Sequence, residues 1–372
     1  MTLRVGKLVY GIIKLLPCLL AVLLASSCSS DVNSDEQKGN KTLVTLTIAA
    51  SGNAATASRA VSGNSSTITR AGAGVSDPSN KDYYIKDLTV LIFDESGDVI
   101  GSTTKQAPDL SPSSDGNITI QVLTRAAKKC TVYAIANALA LNNNATPFAG
   151  VATLSALQSM VKTYANADDI NNDKYLLMMG KTADKSFDTT NSGSAAAISL
   201  QRLASRIDFN ITVNNDITTG FPIVVDSYQL CNVPTSTLYQ QSNFNSPLMS
   251  SSSVSTYKSQ GGTQKTYTCY VYTNTNTDTD ISNKTTYLLI NAHSAVTAGS
   301  TTYMVWNSVF HVYMLEGVKP NMHYTVNITI NGSAGTSGVG GVINTYNAYP
   351  YFSGSILKPW QKEETDRNLD LQ

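Results

Sequence analysis

The sequence predicts an all-β protein that folds as two β-sandwich domains with one or two short helices. Hydrophobic residues recur with a period of two along much of the chain, which is the period of half-buried β-strands. Polar loops rich in Ser, Thr, Asn and Gly separate these strand-like segments, as in β-sandwiches. Charged residues make up only 14% of the 372 residues, and there are 19 tyrosines against 2 tryptophans. Such a neutral, hydroxyl-rich composition is common in extracellular β proteins.

The charge balance excludes one class of function. The 26 basic and 26 acidic residues cancel to a formal net charge of zero. A protein that binds nucleic acid needs a basic face to neutralise the phosphates. We therefore expect no nucleic-acid partner.

The first residues have the pattern of a secretory signal peptide. Basic residues precede an apolar run, Leu15–Ala25, which is shorter than the roughly 20 residues of a membrane-spanning helix. Small residues then lead into Cys28, which looks like a bacterial lipobox, where the cysteine is lipidated and becomes the mature N-terminus. The sequence thus predicts a signal peptide at 1–27 and a lipid on Cys28, with an ordinary signal peptide as the alternative. The polar stretch 29–40 resembles the acidic export signal of surface lipoproteins in the Bacteroidetes.

The first strand, predicted at Thr42–Ala50, is followed by a segment with little to bury. Residues 51–80 are rich in Gly, Ala, Ser and Thr and contain two isolated Arg–Ala bonds, Arg59–Ala60 and Arg70–Ala71. Such a composition predicts a flexible, protease-accessible linker. The alternative for both arginines is a solvated loop charge without further role.

A hairpin and a helix are predicted in the next part of the chain. Leu88–Phe93 reads as a strand that enters the turn Asp94–Asp98, where Gly97 can supply a positive φ angle. Val151–Tyr164 is predicted to be a helix, because its leucines and valine recur at helical spacing.

The second part repeats the strand pattern after a polar loop at Asp188–Ser194. Ile198–Val213 is predicted to be one long strand, because its polar and apolar residues alternate. We place the domains at 71–194 and 195–372, preceded by a tether and strand at 28–70. Further strands are predicted at Asn117–Leu123, Cys130–Ala136, Ile223–Val233, Lys265–Thr273, Thr286–Ala292, Tyr303–Met314 and Tyr324–Asn331.

The cysteines beyond the leader are Cys130, Cys231 and Cys269. Each stands in an apolar run, which favours buried thiols over a catalytic site. A Cys231–Cys269 disulfide is compatible with an oxidising compartment, but the spacing does not require it.

The sequence offers no catalytic residues, metal site or cofactor site. None of the three histidines stands in a zinc-type pair, and no cysteine pair has ligand spacing. The cluster of Asp168, Asp169, Asn171 and Asp173 lacks the glycine and terminal glutamate of an EF-hand, which favours a solvated loop over a calcium site. No residue argues for a hydrolase, and we expect no enzymatic activity.

Several segments, taken in order, resemble the fimbrillin superfamily of the Bacteroidetes, the fimbrial subunits of the FimA and minor-fimbrillin type. A lipoprotein leader, a strand and an Arg–Ala bond come first. The segments that follow are Ile85–Asp94 with its glycine turn, Met178–Gly180, Leu200–Ile207, Leu230–Pro234, Asn321–Gly332 and Ile356–Trp360. Together they cover most of the chain, and their order and spacing make the resemblance.

The resemblance implies a fold and a life cycle. Fimbrillins have two β-sandwich domains of transthyretin-like topology and reach the outer membrane as lipoproteins. A trypsin-like protease then cuts after an arginine and removes the lipid together with the first strand. A strand from a neighbouring subunit fills the vacated groove, which is strand addition to an open sheet edge. The polymer is a fimbrium on the cell surface, where it supports adhesion and biofilm formation.

Carried onto this sequence, the resemblance makes Thr42–Ala50 the removable strand. The cut falls at Arg70–Ala71, which leaves the shorter start before Tyr83, or at Arg59–Ala60. The C-terminal tail Tyr351–Gln372 is the donor segment. Its candidate apolar side chains are Phe352, Ile356, Leu357, Trp360, Leu369 and Leu371, and Trp360 has the alternative of packing on its own domain.

The implied partners are other fimbrial subunits, the outer membrane through a lipid anchor before processing, and a host or bacterial surface ligand. Three functions compete. A shaft subunit is cut and donates a strand. A tip subunit accepts a strand without donating one, and an anchor keeps its lipid. The third is a non-polymerising surface lipoprotein that binds glycans through its tyrosines, although stacking platforms favour tryptophan.

Overall fold

The computed structural model describes residues 40–48, 79, 81–110, 117–188, 196–217, 219–240, 246–251, 254–257, 263–275, 284–314, 317–333, 347–348 and 369–371. Cys28, both Arg–Ala bonds, Phe352, Ile356, Leu357 and Trp360 lie outside these residues. None of the helices in the described part is long and apolar enough to cross a membrane.

The described chain is built almost entirely of strands, which confirms the predicted all-β class. The helices are α1 (Leu154–Ser159) and α2 (Asp169–Asn172), with a 3-10 turn at Ala140–Asn142. The strands are β1 (Lys41–Ile48), β2 (Asp87–Phe93), β3 (Val99–Gln106), β4 (Ile118–Arg125), β5 (Ala127–Ala136), β6 (Val161–Thr163), β7 (Met178–Phe187), β8 (Ala196–Ala197), β9 (Gln201–Arg202), β10 (Ala204–Val213), β11 (Ile223–Cys231), β12 (Val233–Pro234), β13 (Ser236–Leu238), β14 (Leu248–Met249), β15 (Val254–Tyr257), β16 (Thr263–Tyr272), β17 (Tyr287–Ala298), β18 (Thr301–Tyr313), β19 (His323–Ile330), β20 (Asn347–Ala348) and β21 (Leu369–Leu371).

The strands form three main sheets. The first sheet has the order β8-β1-β4-β3-β2-β5-β7-β9. The second has the order β16-β10-β19-β20, with β21 also on β19, and the third has the order β15-β11-β17-β18. Two small pairs, β12 with β14 and β13 with β6, complete the described pairing.

Each half of the chain has its own hydrophobic core. Inward residues of the first sheet make one core, which includes Leu88 and Val90–Phe93 of the fully buried strand β2. Alternate residues of the second and third sheets share another core, which is β-sandwich packing. The change from the first core to the second falls within β10, between Ala204 and Ile207.

The cores also exchange side chains. Tyr239 and Tyr272, from the second half of the chain, pack in the first core, and Ala167 packs in the second. Residues distant in sequence therefore tie the two halves together.

The predicted hairpin is confirmed. β2 and β3 pair in antiparallel register around the turn that begins at Asp94. Gly97 has a φ angle of +87° and donates its backbone N–H to the carbonyl of Asp94 at 3.0 Å. Glycine adopts such an angle without the strain that a Cβ atom would cause.

The helix predicted at Val151–Tyr164 is wrong in length. The helical stretch is only α1, which ends because Met160 has extended backbone angles. Val161 then begins β6 and pairs with Leu238 of β13. Pairing with a strand far along the chain thus overrides the helical spacing of the apolar residues.

The single strand predicted at Ile198–Val213 is also wrong, because the chain is divided there. β9 pairs with β7 in the first sheet, whereas β10 pairs with β16 and β19 in the second. The break at Leu203 lets one continuous segment pass from one sheet to another.

All three cysteines predicted to be buried thiols are buried and free, and no disulfide joins Cys231 to Cys269. Burial raises the pKa of Cys130 to about 11 and raises that of Cys269 further. A thiol that stays protonated and shielded is a poor nucleophile.

We expect these three thiols to resist alkylation in the native protein at pH 8, because all three are buried. All three should react in guanidinium chloride. Site-resolved mass spectrometry after timed exposure to iodoacetamide measures the labelling of each cysteine in the native and in the denatured protein. Native labelling of Cys130 at the rate of a free thiol would contradict the burial.

Candidate functional site

The first candidate site is the place of β1 in its sheet, which we call the strand slot (β1 with its neighbours β4 and β8). All eight residues of β1 pair with β4 in an unbroken antiparallel register, from Lys41 opposite Arg125 to Ile48 opposite Ile118. On its other side, Leu46 and Thr47 pair in parallel with β8. β1 is thus an interior strand of the described sheet.

The side chains of β1 divide between core and solvent as predicted. Val44, Leu46 and Ile48 are at most 2% exposed and belong to the first core. They lie opposite the buried β4 residues Val122, Ile120 and Ile118. Burial of such a side chain stabilises by about 2 kcal/mol, so the slot is held by apolar packing as well as by hydrogen bonds.

The outer face of the slot carries one apolar pair. Leu43 lies opposite Leu123 on β4, and both side chains are about half exposed, at 47% and 56%. Each leucine covers part of the other, as cross-strand pairs do. Without β1, Leu123 would lose this cover.

The second candidate feature is the segment that resumes the described chain, residues 81–85, which we call the anchor segment. The carboxylate of Asp82 accepts hydrogen bonds from Arg206 Nη1 at 3.1 Å and from the Tyr270 hydroxyl at 2.7 Å. The carbonyl of Asp82 accepts a third from Arg202 Nε at 2.7 Å. Strands of both sheets therefore hold this segment independently of β1.

Lys81 binds the start of the anchor segment to the α2 region of the chain. Its ammonium group donates to the carbonyls of Ile170 at 2.5 Å and Asn171 at 3.2 Å. It also lies 4.7 Å from the centre of the Tyr270 ring, within the range of a cation–π contact. Burial lowers the pKa of Lys81 to about 8.

Arg202 is the central side chain of the anchor and is fully buried. Besides its bond to Asp82, Arg202 donates from Nη1 to the Asn321 side-chain oxygen at 3.1 Å. Its guanidinium lies 4.8 Å from the centre of the Tyr83 ring. A delocalised guanidinium with several donors suits such a buried junction better than a lysine would.

A second acidic group extends the anchor into the second sheet. Asp208 accepts hydrogen bonds from Arg206 at 3.1 Å and Thr268 at 2.6 Å, and His323 Nε2 lies 2.7 Å from its Oδ2. Burial alone would raise the pKa of Asp208. The hydrogen bonds with His323, Thr268 and Arg206 outweigh burial and lower that pKa to about 2.

This shift predicts acid sensitivity. Because the pKa falls from 3.8 to about 2 on folding, the charged group contributes about 2 kcal/mol of stability above pH 4. The contribution is lost as the pH falls from about 4 to about 2. We expect Asp208→Asn to lower stability at pH 7 and to flatten this acid limb, as measured by urea unfolding at several pH values. Asp109→Asn, at an exposed position, is the control; equal effects of the two changes would contradict the assignment.

The third feature is the outer edge of β19. β20 pairs with Tyr324 and Thr325 of β19, and β21, near the end of the chain, pairs in parallel with Ile328–Ile330. The last described residues of the tail thus lie on the chain's own second sheet. Of the predicted donor side chains, Leu369 and Leu371 belong to β21, whereas Phe352, Ile356, Leu357 and Trp360 lie outside the described part.

The acidic cluster predicted to be a solvated loop has structural partners. Asp169 caps its own turn by accepting from the backbone N–H of Asn166, and Asn171 bonds to the backbone of Tyr270. Within the described ranges, no group of three His, Cys, Asp or Glu side chains is placed to hold a metal ion.

The slot was predicted from the sequence, and the anchor was missed. The alternation of residues 42–50 marked the strand, but nothing near Asp82 indicates Arg202, 120 residues away. The only feature of the sequence that could have indicated the anchor is the presence of two arginines, Arg202 and Arg206, in an otherwise strand-like segment.

Residues 44–226 match the family described as "Major fimbrial subunit protein (FimA)". This region contains most of β1, all of β4 and the anchor segment. The match covers just under half of the chain and confirms the predicted resemblance to the fimbrillin superfamily. No curated protein matches the sequence of this chain significantly.

Solved structures share the fold described here. One, from Parabacteroides distasonis ATCC 8503 and titled as a candidate cell adhesion protein, is 16% identical with a TM-score of 0.56, covering 83% of this chain and 96% of its own. A second, from Bacteroides eggerthii DSM 20697 with the same description, is 20% identical with a TM-score of 0.51, covering 74% and 91%. At these identities the likeness concerns the fold.

Proposed function

We propose that this chain is a structural subunit of a cell-surface fimbrium, polymerised by donor-strand exchange after removal of β1. The observation that carries the proposal is the strand slot, where one terminal strand fills a gap in the core. The match of residues 44–226 to the fimbrial subunit family supports the general role.

The first step is export and processing. The chain reaches the outer membrane as a lipoprotein on Cys28 and is cut after Arg70, or after Arg59. Both bonds lie between β1 and the anchor segment in sequence. Because Asp82 is bound by Arg202 and Arg206, a cut before it leaves the remaining chain fastened while β1 departs.

The second step is strand replacement. Loss of β1 uncovers the buried β4 residues Ile118, Ile120 and Val122 and an eight-residue ladder. An unpaired ladder above exposed core residues is a template for another strand. The donor is the tail Tyr351–Gln372 of a neighbouring subunit, with Phe352, Ile356, Leu357 and Trp360 as its candidate inward residues. The resulting fimbrium would serve adhesion and biofilm formation.

The proposed processing is tested on protein taken from the cell surface. We expect a mature N-terminus at Ala71, or at Ala60, and ladders that resist SDS. The double variant Arg59→Ala/Arg70→Ala should abolish both, whereas Lys265→Ala, at an exposed position of β16 outside the strand slot, should not. An assembled form that retains a lipid on Cys28 would replace the shaft role by an anchor role.

The proposed slot is tested with a synthetic β1 peptide. A peptide of Lys41–Ile48 should block assembly of processed subunits, because it refills the slot. The same peptide with Leu46→Asp should fail, and the peptide with Leu43→Asp should still act. Equal activity of the two altered peptides would contradict replacement at this slot. Assembly without a donor tail would point to a tip subunit that only accepts strands.

The glycan-binding alternative receives less support. Eight tyrosines are buried in the described cores, namely Tyr83, Tyr84, Tyr133, Tyr228, Tyr239, Tyr272, Tyr313 and Tyr324. Their packing accounts for much of the tyrosine content without a sugar platform. Binding of the unassembled subunit to a glycan array would restore this alternative.

A further inference from the structure

The β17–β18 hairpin has an end that projects from the sandwich. A strand that packs on a core alternates between buried and exposed residues. In β18, the five successive residues Thr301–Val305 are all exposed, whereas Ser308, Phe310 and Val312 are buried. Both faces of the strand are therefore in contact with solvent over about 17 Å at its start. We call Thr301–Val305 the hairpin end.

The hairpin end is apolar for an exposed strand. Tyr303 and Met304 are 57% and 61% exposed, and Val305 adjoins them at 36%. The register with β17 shifts at this point, so that Val305 is an extra residue in the ladder. Such a bulge redirects side chains and frequently accompanies binding sites in sheets.

The edge of β18 lacks the usual protection against pairing. Among the described residues β18 pairs only with β17, which leaves its other edge as the end of the sheet. Natural edge strands usually carry charges, above all lysine, or a proline. β16, at an edge of the second sheet, has Lys265, but β18 contains no Asp, Glu, Lys, Arg or Pro.

These features select the kind of occupant. An open ladder is satisfied by another strand. A charged strand would place its charges beside Tyr303, Met304 and Val305, where β18 offers no opposite charge to attract them. The hairpin end of a second copy is uncharged, has the same length, and can pair antiparallel with itself about a twofold axis. We propose that the hairpin end is a lateral interface at which two copies of this chain pair edge to edge.

The size of the surface determines how strong this contact is. Two ends overlapping over about 17 Å bury less than the roughly 1,200 Å² of a stable interface, so isolated subunits should associate weakly. A fibre presents many copies in a row, and weak contacts then act together. In a fibre, this contact would hold neighbouring fibres side by side, a consequence that rests on the proposed function. The pairing of two free subunits does not depend on that function.

The interface is tested on the unprocessed chain with β1 in place, so strand exchange does not contribute. Sedimentation velocity should show an average sedimentation coefficient that rises with protein concentration. Met304→Lys should weaken this association at least tenfold, because it introduces a charge on each copy at the same contact. Met249→Lys is the matched control, since Met249 is an exposed strand residue at 42% in β14. The Met249→Lys variant should associate as strongly as the parent chain does.

A second measurement locates the contact. Hydrogen exchange at high and low protein concentration should show protection at the amides of Thr301–Val305 in the parent and none in Tyr303→Lys. Thermal unfolding by circular dichroism verifies that each variant is folded. Absence of association in the parent, or unchanged association in both lysine variants, would overturn the proposal.

Neutral phosphatidylcholine vesicles provide the remaining comparison. We expect the parent chain not to bind them. Vesicle binding that Met304→Lys abolishes would assign the hairpin end to lipid and overturn pairing between copies. Neither binding to the vesicles nor its absence affects the proposed cleavage and strand replacement, which are measured by N-terminal sequencing and SDS-resistant ladders.

Discussion

Leu46→Asp is expected to expel β1 from the strand slot, whereas Leu43→Asp is expected to leave β1 in place. Leu46 is fully buried in the first core, and Leu43, three residues earlier on the same strand, is about half exposed. An aspartate at position 46 loses the packing of the leucine and has to bury a charge, which together cost about 4 kcal/mol or more. At position 43 the cost should stay within about 1 kcal/mol.

Two measurements distinguish the variants. Urea unfolding gives the loss of stability, and hydrogen exchange reports whether the β4 amides that face β1 become unprotected. Rapid exchange confined to β4 and β8 in the Leu46 variant would mean that β1 leaves while the rest stays folded. Equal behaviour of the two variants would contradict the burial of Leu46.

Arg202→Ala is expected to destabilise the protein by about 3 kcal/mol or more. The change removes a fully buried side chain that donates to Asp82 and Asn321 and packs on Tyr83. The acceptors left behind are buried and cannot recover their hydrogen bonds from bulk water.

Arg125→Ala serves as the control for Arg202→Ala. Arg125 forms a partly exposed ion pair with Asp94 at 2.7 Å, and such pairs contribute about 1 kcal/mol or less. Thermal and urea unfolding of both variants measure the difference. A loss for Arg202→Ala no larger than that for Arg125→Ala would show that the anchor does not stabilise the junction between the cores.

Local patterns in the sequence were sufficient to predict the strands whose two faces differ. In β1, Leu43, Thr45 and Thr47 alternate with Val44, Leu46 and Ile48, and a one-residue shift would expose the last three. The β2–β3 hairpin was equally clear, because Gly97 marks the turn. In both cases the pattern that predicts the strand lies within a few residues along the chain, although β1 itself pairs with the distant strands β4 and β8.

The failures of sequence-based prediction involve residues distant in sequence. Val161 has the spacing of a helical residue, but its pairing with Leu238 decides its conformation. Arg202 follows an alternating pattern in which an arginine is expected to face solvent. Its burial depends on Asp82 and Asn321, each about 120 positions away, and no local pattern encodes that contact.

The position of β1 between β4 and β8 also determines how a fibre would respond to tension. The hydrogen bonds of an antiparallel ladder run perpendicular to the strands. A strand pulled along its own axis in this slot loads all the β4 bonds at once, in shear. The same strand pulled sideways from one end would lose them one after another. Fibre strength should therefore depend on the direction of pull relative to the strand, a difference that single-molecule force measurements along the two directions can detect.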